Sequence, residues 1–181
     1  MHLLGQPNTF LAEGDATASG TPTATVTAPR GSGNPDIAVI MDGDVPVVGD
    51  QSPTRQYDTY TGEVVNPQSV GYTFNGPVMV TKLTFTEGMH FNNGGWFTDE
   101  PVVEFDSGNG VWTRAPGLRC SPPYLDASRD FADGASSFET FVFTFDAVAT
   151  TGIRLTGTAG GEAAFISVAE LRVMGASGAE S

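Results

Sequence analysis

The sequence predicts an all-β fold, an antiparallel β-sandwich of the jelly-roll kind, and three observations carry that prediction. Short apolar runs alternate with polar residues at period two, as in Phe141-Val142-Phe143-Thr144-Phe145. Turn formers are scattered between those runs, with 23 glycines and 12 prolines on no repeating period. No window carries apolar residues at 3.6 spacing without a glycine, proline or β-branched interruption, so no helix is predicted. At 181 residues one sandwich can bury an adequate core without disulfides.

The elements follow in chain order. Asn8 to Arg30 is rich in Thr, Ala, Gly and Pro, and Thr23–Thr27 alternates as a short edge strand would. Ser32-Gly33-Asn34-Pro35 is a turn signal leading into the apolar Ile37–Ile40, a short buried element that feeds the acidic loop Asp42-Gly43-Asp44. Strands are predicted at Val70–Phe74, Val78–Thr86, Val102–Asp106, Val111–Arg114, Phe138–Phe145, Ile153–Thr156 and Phe165–Met174. Leu83 and Phe85 share a face opposite Lys82 and Thr84, and Phe141, Phe143 and Phe145 share another. Asn75-Gly76-Pro77 and Ser107-Gly108-Asn109-Gly110 are read as hairpin connections. Trp112, inside a strand, is expected in the core. Of the adjacent Trp96 and Phe97, one is expected to be buried, because neighbours in extended chain point opposite ways. Arg119 to Phe131 carries no readable pattern.

Charge narrows the partners. The net charge of -13 sets Lys82 and seven arginines against 21 carboxylates. Such a surface repels a phosphate backbone and an anionic bilayer alike, so neither nucleic acid nor membrane is an expected partner. Cys120 is the only cysteine, which excludes an internal disulfide and the paired spacings of a zinc site, and it reads as a neutral thiol. Met1–Gly5 lacks the pattern of a signal peptide, and no run approaches the length of a membrane span. Residues 1–7 and 176–181 read as flanking and linker segments around a module at 8–175 that belongs to a longer secreted chain. Catalysis is not expected: there is no Gly-x-Ser-x-Gly elbow, and Asp99-Glu100 and Asp130 to Asp133 are coincidences natural to so acidic a chain.

Three segments together resemble the discoidin, or coagulation factor 5/8 type C, superfamily, and within it the family 32 carbohydrate-binding modules. They are Ile40-Met41-Asp42-Gly43-Asp44, Gly152-Ile153-Arg154-Leu155 and the closing strand Phe165-Ile166-Ser167-Val168-Ala169-Glu170-Leu171-Arg172-Val173. The resemblance implies a galactose-binding-domain-like sandwich that binds carbohydrate without catalysis, works as a monomer and serves a parent bacterial enzyme in cis. It also implies a structural calcium ion between the early acidic loop and the closing strand, with Met41, Asp42, Asp44, Ala169 and Glu170 as its seat. Calcium takes six to eight oxygen ligands in flexible geometry, which carboxylates and carbonyls of a turn can supply.

For the sugar, the resemblance implies a small set of loop residues combining hydrogen-bonding groups with aromatic rings that stack on a pyranose. In the loop Gly88–Trp96, Asn93-Gly94 fits the family pattern, His90 stands where relatives often carry an arginine, and Trp96 offers a ring. In Thr54–Tyr60, Arg55 offers a bidentate donor, and Tyr57 and Tyr60 read either as a stacking platform or as rings packed over the rim. This loop departs from the Thr, Trp and His of relatives, and Thr158–Glu162 lacks the aromatic that galactose-type relatives present there.

Overall fold

The computed structural model describes residues 14–124 and 135–177. Nearly all regular structure among them is antiparallel strand: β1 (Gly14–Asp15), β2 (Gly20–Ala24), β3 (Tyr57–Asp58), β4 (Gln68–Glu87), β5 (Val102–Asp106), β6 (Trp112–Arg114), β7 (Arg119–Ser121), β8 (Thr140–Gly157) and β9 (Ser167–Ser177). Helical structure in the described residues is limited to 3-10 turns at Thr17–Ser19, Ile37–Met41 and Pro53–Arg55. The protein is an antiparallel β-sandwich of jelly-roll type, as its sequence predicts.

Two long strands organise it. β4 and β8 pair along most of their length, from Gln68 opposite Gly157 to Thr86 opposite Thr140. Along its first half β4 is flanked on its other edge by β2, and along its second half by β9. β8 is likewise flanked by β5 along its C-terminal half and by β7 along its N-terminal half. One curled sheet therefore forms two faces around a common core, and Tyr72 on β4 joins them by donating its hydroxyl to the Leu171 carbonyl of β9 at 2.6 Å.

The curl is placed by a bulge that the sequence presents as a hairpin. Thr73 pairs with Gly152 and Val78 with Thr150, so Phe74-Asn75-Gly76-Pro77 sit opposite Thr151 alone. Pro77 has no N–H for the ladder and the extra residues bend the strand, but pairing resumes beyond them and the chain does not turn back. Ser107–Gly110, by contrast, is a hairpin, with Asp106 opposite Trp112.

The alternating faces form the core: Leu83, Phe85, Phe141, Phe143, Ile153 and Leu155 are fully buried. Phe97 is buried and Trp96 is partly exposed. Val39 and Ile40 of the short apolar element are also buried. Trp112 is a correction: it is partly exposed, on the outer side of the sheet, with the Arg154 guanidinium 4.2 Å from its ring centre and Glu104 paired to that guanidinium. Cys120 lies on β7 with its thiol pushed up to about 12, by burial first and then by Glu100. The remainder of the unassigned loop beyond Tyr124 lies outside the described residues.

Candidate functional site

Four loops meet beside β3 and the start of β9. The segment 30–34 lies along 56–60, with Arg30 N–H donating to the Tyr60 carbonyl at 2.7 Å and Asn34 N–H to the Gln56 carbonyl at 2.8 Å. Asp58, on β3 opposite Ser167, receives the Gly33 N–H at 2.8 Å and the Tyr60 N–H at 3.3 Å. Gly31 is required by this contact, because a Cβ there would stand 2.0 Å from Asp58 Oδ1. The loop 91–95 closes on itself through Phe91 N–H to the Gly94 carbonyl, and is tied to the segment before β9 through Gly95 N–H to the Phe165 carbonyl and Ala163 N–H to the Asn93 carbonyl, each at 2.9 Å.

These loops enclose an open pocket of about 250 Å³ lined by Arg30, Gly31, Ser32, Asp58, Tyr60, Phe91, Asn93 and Phe165. Phe165 is its buried floor; Tyr60 stands edge-on to it at 5.4 Å between ring centres, and Phe91 lies tilted against it at 5.7 Å. Burial holds the Asp58 carboxyl above its ordinary range, partly offset by the backbone N–H groups of Tyr60 and Gly33. The pocket thus offers a guanidinium donor, a carboxylate acceptor, an amide and aromatic surface within one small volume.

Of the residues singled out from sequence, Tyr60 and Asn93 line this pocket and the others do not. Tyr57 is 1% exposed and gives its hydroxyl to the Val26 carbonyl, so it is a core residue rather than a stacking platform. Three residues apart on extended chain, Tyr57 and Tyr60 face opposite sides. Arg55 is spent on acidic neighbours, both oxygens of Asp44 (2.5 and 2.8 Å) and Asp50 (3.0 Å). His90 is a correction of the same kind. Its side chain is buried with Nε2 2.9 Å from Glu87 Oε2, its backbone N–H donates to Ser137 Oγ, and Tyr124 donates its hydroxyl to Glu87. Trp96 stacks edge-on against His90 at 5.9 Å and lies over Gly160, where a Cβ would come within 2.3 Å of its Nε1.

Arg30, Ser32, Asp58, Phe91 and Phe165 were not singled out by the sequence reading. The available signals were an arginine heading the Gly-Ser-Gly turn 31–33 and the period-two relation of Asp58 to Tyr60.

The implied calcium seat is assembled in part. The Asp42-Gly43-Asp44 turn sits against β9, with Gly43 N–H bridging both Glu170 oxygens at 3.1 and 3.3 Å. Ala169 is buried where the β4 ladder skips from Glu170 to Val168, and the Met41 side chain packs on the core. Burial pushes the Glu170 carboxyl up to about 8, with the neighbouring Asp42 carboxyl acting in the same direction, against the pull of Arg172 and the Gly43 N–H. The donor set does not fit a calcium ion, because Arg172 Nε takes Glu170 at 2.9 Å and Arg55 takes both oxygens of Asp44. Asp42 Oδ1 closes a turn onto Asp44 N–H. Among the described residues no group of three or more His, Cys, Asp or Glu side chains is placed to hold a metal.

The architecture and the pocket now admit comparison with known proteins. No protein-family model matches the sequence, and no curated protein matches it significantly. Solved structures do match the fold. The Clostridium perfringens module CpGH89CBM32-5, solved in complex with GalNAc-β-1,3-galactose, superposes with a TM-score of 0.58 at 20% identity over 86% of this chain and 95% of its own. The family 32 module of C. perfringens NanJ, solved with galactose, gives 0.57 at 20% identity over 90% and 98%. Chitosan-binding module 1 of a chitosanase/glucanase from Paenibacillus sp. IK-5 gives 0.52 at 18% identity over 86% and 94%. The chain has the fold of these family 32 modules, so the resemblance read from its three segments holds at the level of architecture. Among the described residues no helix is long and apolar enough to cross a membrane.

Proposed function

We propose that this chain is a non-catalytic carbohydrate-binding module whose site is the pocket of Arg30, Asp58, Tyr60, Phe91, Asn93 and Phe165. The observation that carries the proposal is the make-up of that pocket. A sugar presents hydroxyls that both donate and accept around a ring whose C–H faces are apolar; Arg30 donates, Asp58 accepts, Asn93 does both, and Tyr60 and Phe91 supply ring surface. The volume suits one sugar residue with its rim in solvent. Binding by so few groups is weak, because ordering costs consume much of the contact energy, and tethering to a parent enzyme raises the effective concentration of the glycan. In this reading the module is monomeric, acts outside the cell and keeps a secreted bacterial enzyme on its substrate.

A glycan-array screen of the wild-type module beside Tyr60→Ala, Asn93→Ala and Trp96→Ala tests it. Binding to one sugar class that the first two variants lose and Trp96→Ala keeps is the expected pattern. A blank array from folded protein would move the assignment to a protein-contact domain. That second reading has one observation in its favour: Val45, Val47 and Val48 stand exposed on a single loop.

A further inference from the structure

We infer that in this chain two guanidinium clamps, rather than a divalent cation, hold the 42–44 turn, Arg172 against the closing strand and Arg55 against the loop that follows the turn. Arg172 follows Glu170 by two residues on β9, so both side chains leave the same face of the strand. Its Nε holds Glu170 Oε1 at 2.9 Å and its Nη1 holds Asp15 of β1 at 3.2 Å. The same guanidinium lies against the turn itself, since a Cβ built on Gly43 would stand 3.2 Å from Nη2. Gly43 adopts a φ of +82° and donates its N–H into the Glu170 carboxylate, so turn, carboxylate and guanidinium form one closed contact.

Arg55 holds the far side of the turn, to its own loop and not to the closing strand. Its planar fork takes both oxygens of Asp44, and its remaining arm takes Asp50, so the two ends of the loop 44–50 are tied by one side chain. A structural cation would neutralise converging carboxylates and fix the turn by several directed contacts. The two arginines bring positive charge and directed contacts to Glu170 and Asp44, with donors in a rigid plane in place of oxygen ligands. The alternatives compete at Glu170, because a calcium ion on that carboxylate would face a permanently charged guanidinium already in contact with its Oε1.

The inference does not depend on sugar binding, and its test reads neither the pocket nor the glycan. Thermal melts of the wild-type protein in excess EDTA and in excess calcium chloride are expected to coincide, and calorimetric titration with calcium chloride is expected to give no saturable heat. A calcium-dependent rise in Tm with stoichiometric binding would overturn the inference. Arg172→Met is expected to melt lower than wild type in EDTA, and Arg172→Lys, which keeps the charge and loses the fork, is expected to melt between them. An Arg172→Met protein as stable as wild type would overturn it from the other side. Should Arg172→Met not fold, the wild-type melts and the Arg172→Lys variant still decide the matter.

Discussion

Within seven residues, Glu87 to Asn93, the chain passes from a sealed polar interior to an open site. Glu87 and His90 are buried against one another and against Tyr124, whereas Phe91 and Asn93 line the pocket. The two halves contain similar chemistry: an acid with a ring in the first, an aromatic with an amide in the second. What separates them is their closure by other segments, Ser137 and Tyr124 over the first half and only the rim of Arg30, Ser32 and Tyr60 around the second. A polar residue on a glycine-rich loop is thus no guide to ligand contact until the segments packed over it are known.

The sharpest way to break this contrast is His90→Ala. Removing His90 leaves the buried Glu87 with the Tyr124 hydroxyl alone among the described residues, which costs up to about 3–5 kcal/mol. Urea denaturation should show that loss, while sugar affinity measured on the folded fraction stays at the wild-type value. A His90→Ala protein of wild-type stability that fails to bind would put His90 in the site and Glu87 in solvent. Gly31→Ala comes next. Its Cβ would stand 2.0 Å from Asp58 Oδ1, so the rim must move, at roughly 1–3 kcal/mol of overpacking strain, and glycan binding should fall with it. Retained affinity would mean that the rim is not part of the site.

The strand framework was legible because period two and turn chemistry are local signals. Val102–Asp106 coincides with β5, and the phenylalanine face of Phe141–Phe145 is buried. The two-residue strands β1 and β3 and the short β7 escaped, since they are strands only through their partners β9 and β8. Asn75-Gly76-Pro77 misled for a related reason: its turn chemistry is real, but cross-strand pairing on either side turns it into a bulge. The pocket was legible at Tyr60 and Asn93 alone. Asp58 and Phe165 join it through contacts between segments more than a hundred residues apart, and Arg55 and His90 left the candidate site by pairing with Asp44 and Glu87, partners that residue type alone does not announce.

Tyr60→Ala sharpens the contrast from the open side. Tyr60 is only half-buried and its ring meets Phe165 edge-on, so its loss should barely change Tm. It should remove about 1 kcal/mol of ring contact from the bound sugar, roughly a fivefold rise in Kd. Isothermal titration with the sugar chosen by the array would measure this. An unchanged Kd would assign the ring to the rim and leave Phe91 as the stacking surface.

The smallest effect concerns Asp58, the one carboxylate that the pocket and the interior share. Burial raises its folded value above the ordinary 3.8, so the folded state holds this proton to a higher pH than the unfolded chain does. The stabilisation associated with that proton is therefore complete below the ordinary carboxylate value and is lost as pH rises through the raised one. Ionising the group carries a desolvation cost that the N–H groups of Gly33 and Tyr60 partly offset. A carboxyl titration followed by NMR should place its midpoint above 3.8 in the free protein. A sugar hydroxyl that donates to the ionised form favours that form, so saturating ligand should move the midpoint down. A midpoint that the ligand leaves in place would show that Asp58 only holds the 31–33 loop, and recognition would then rest on Arg30 and Asn93.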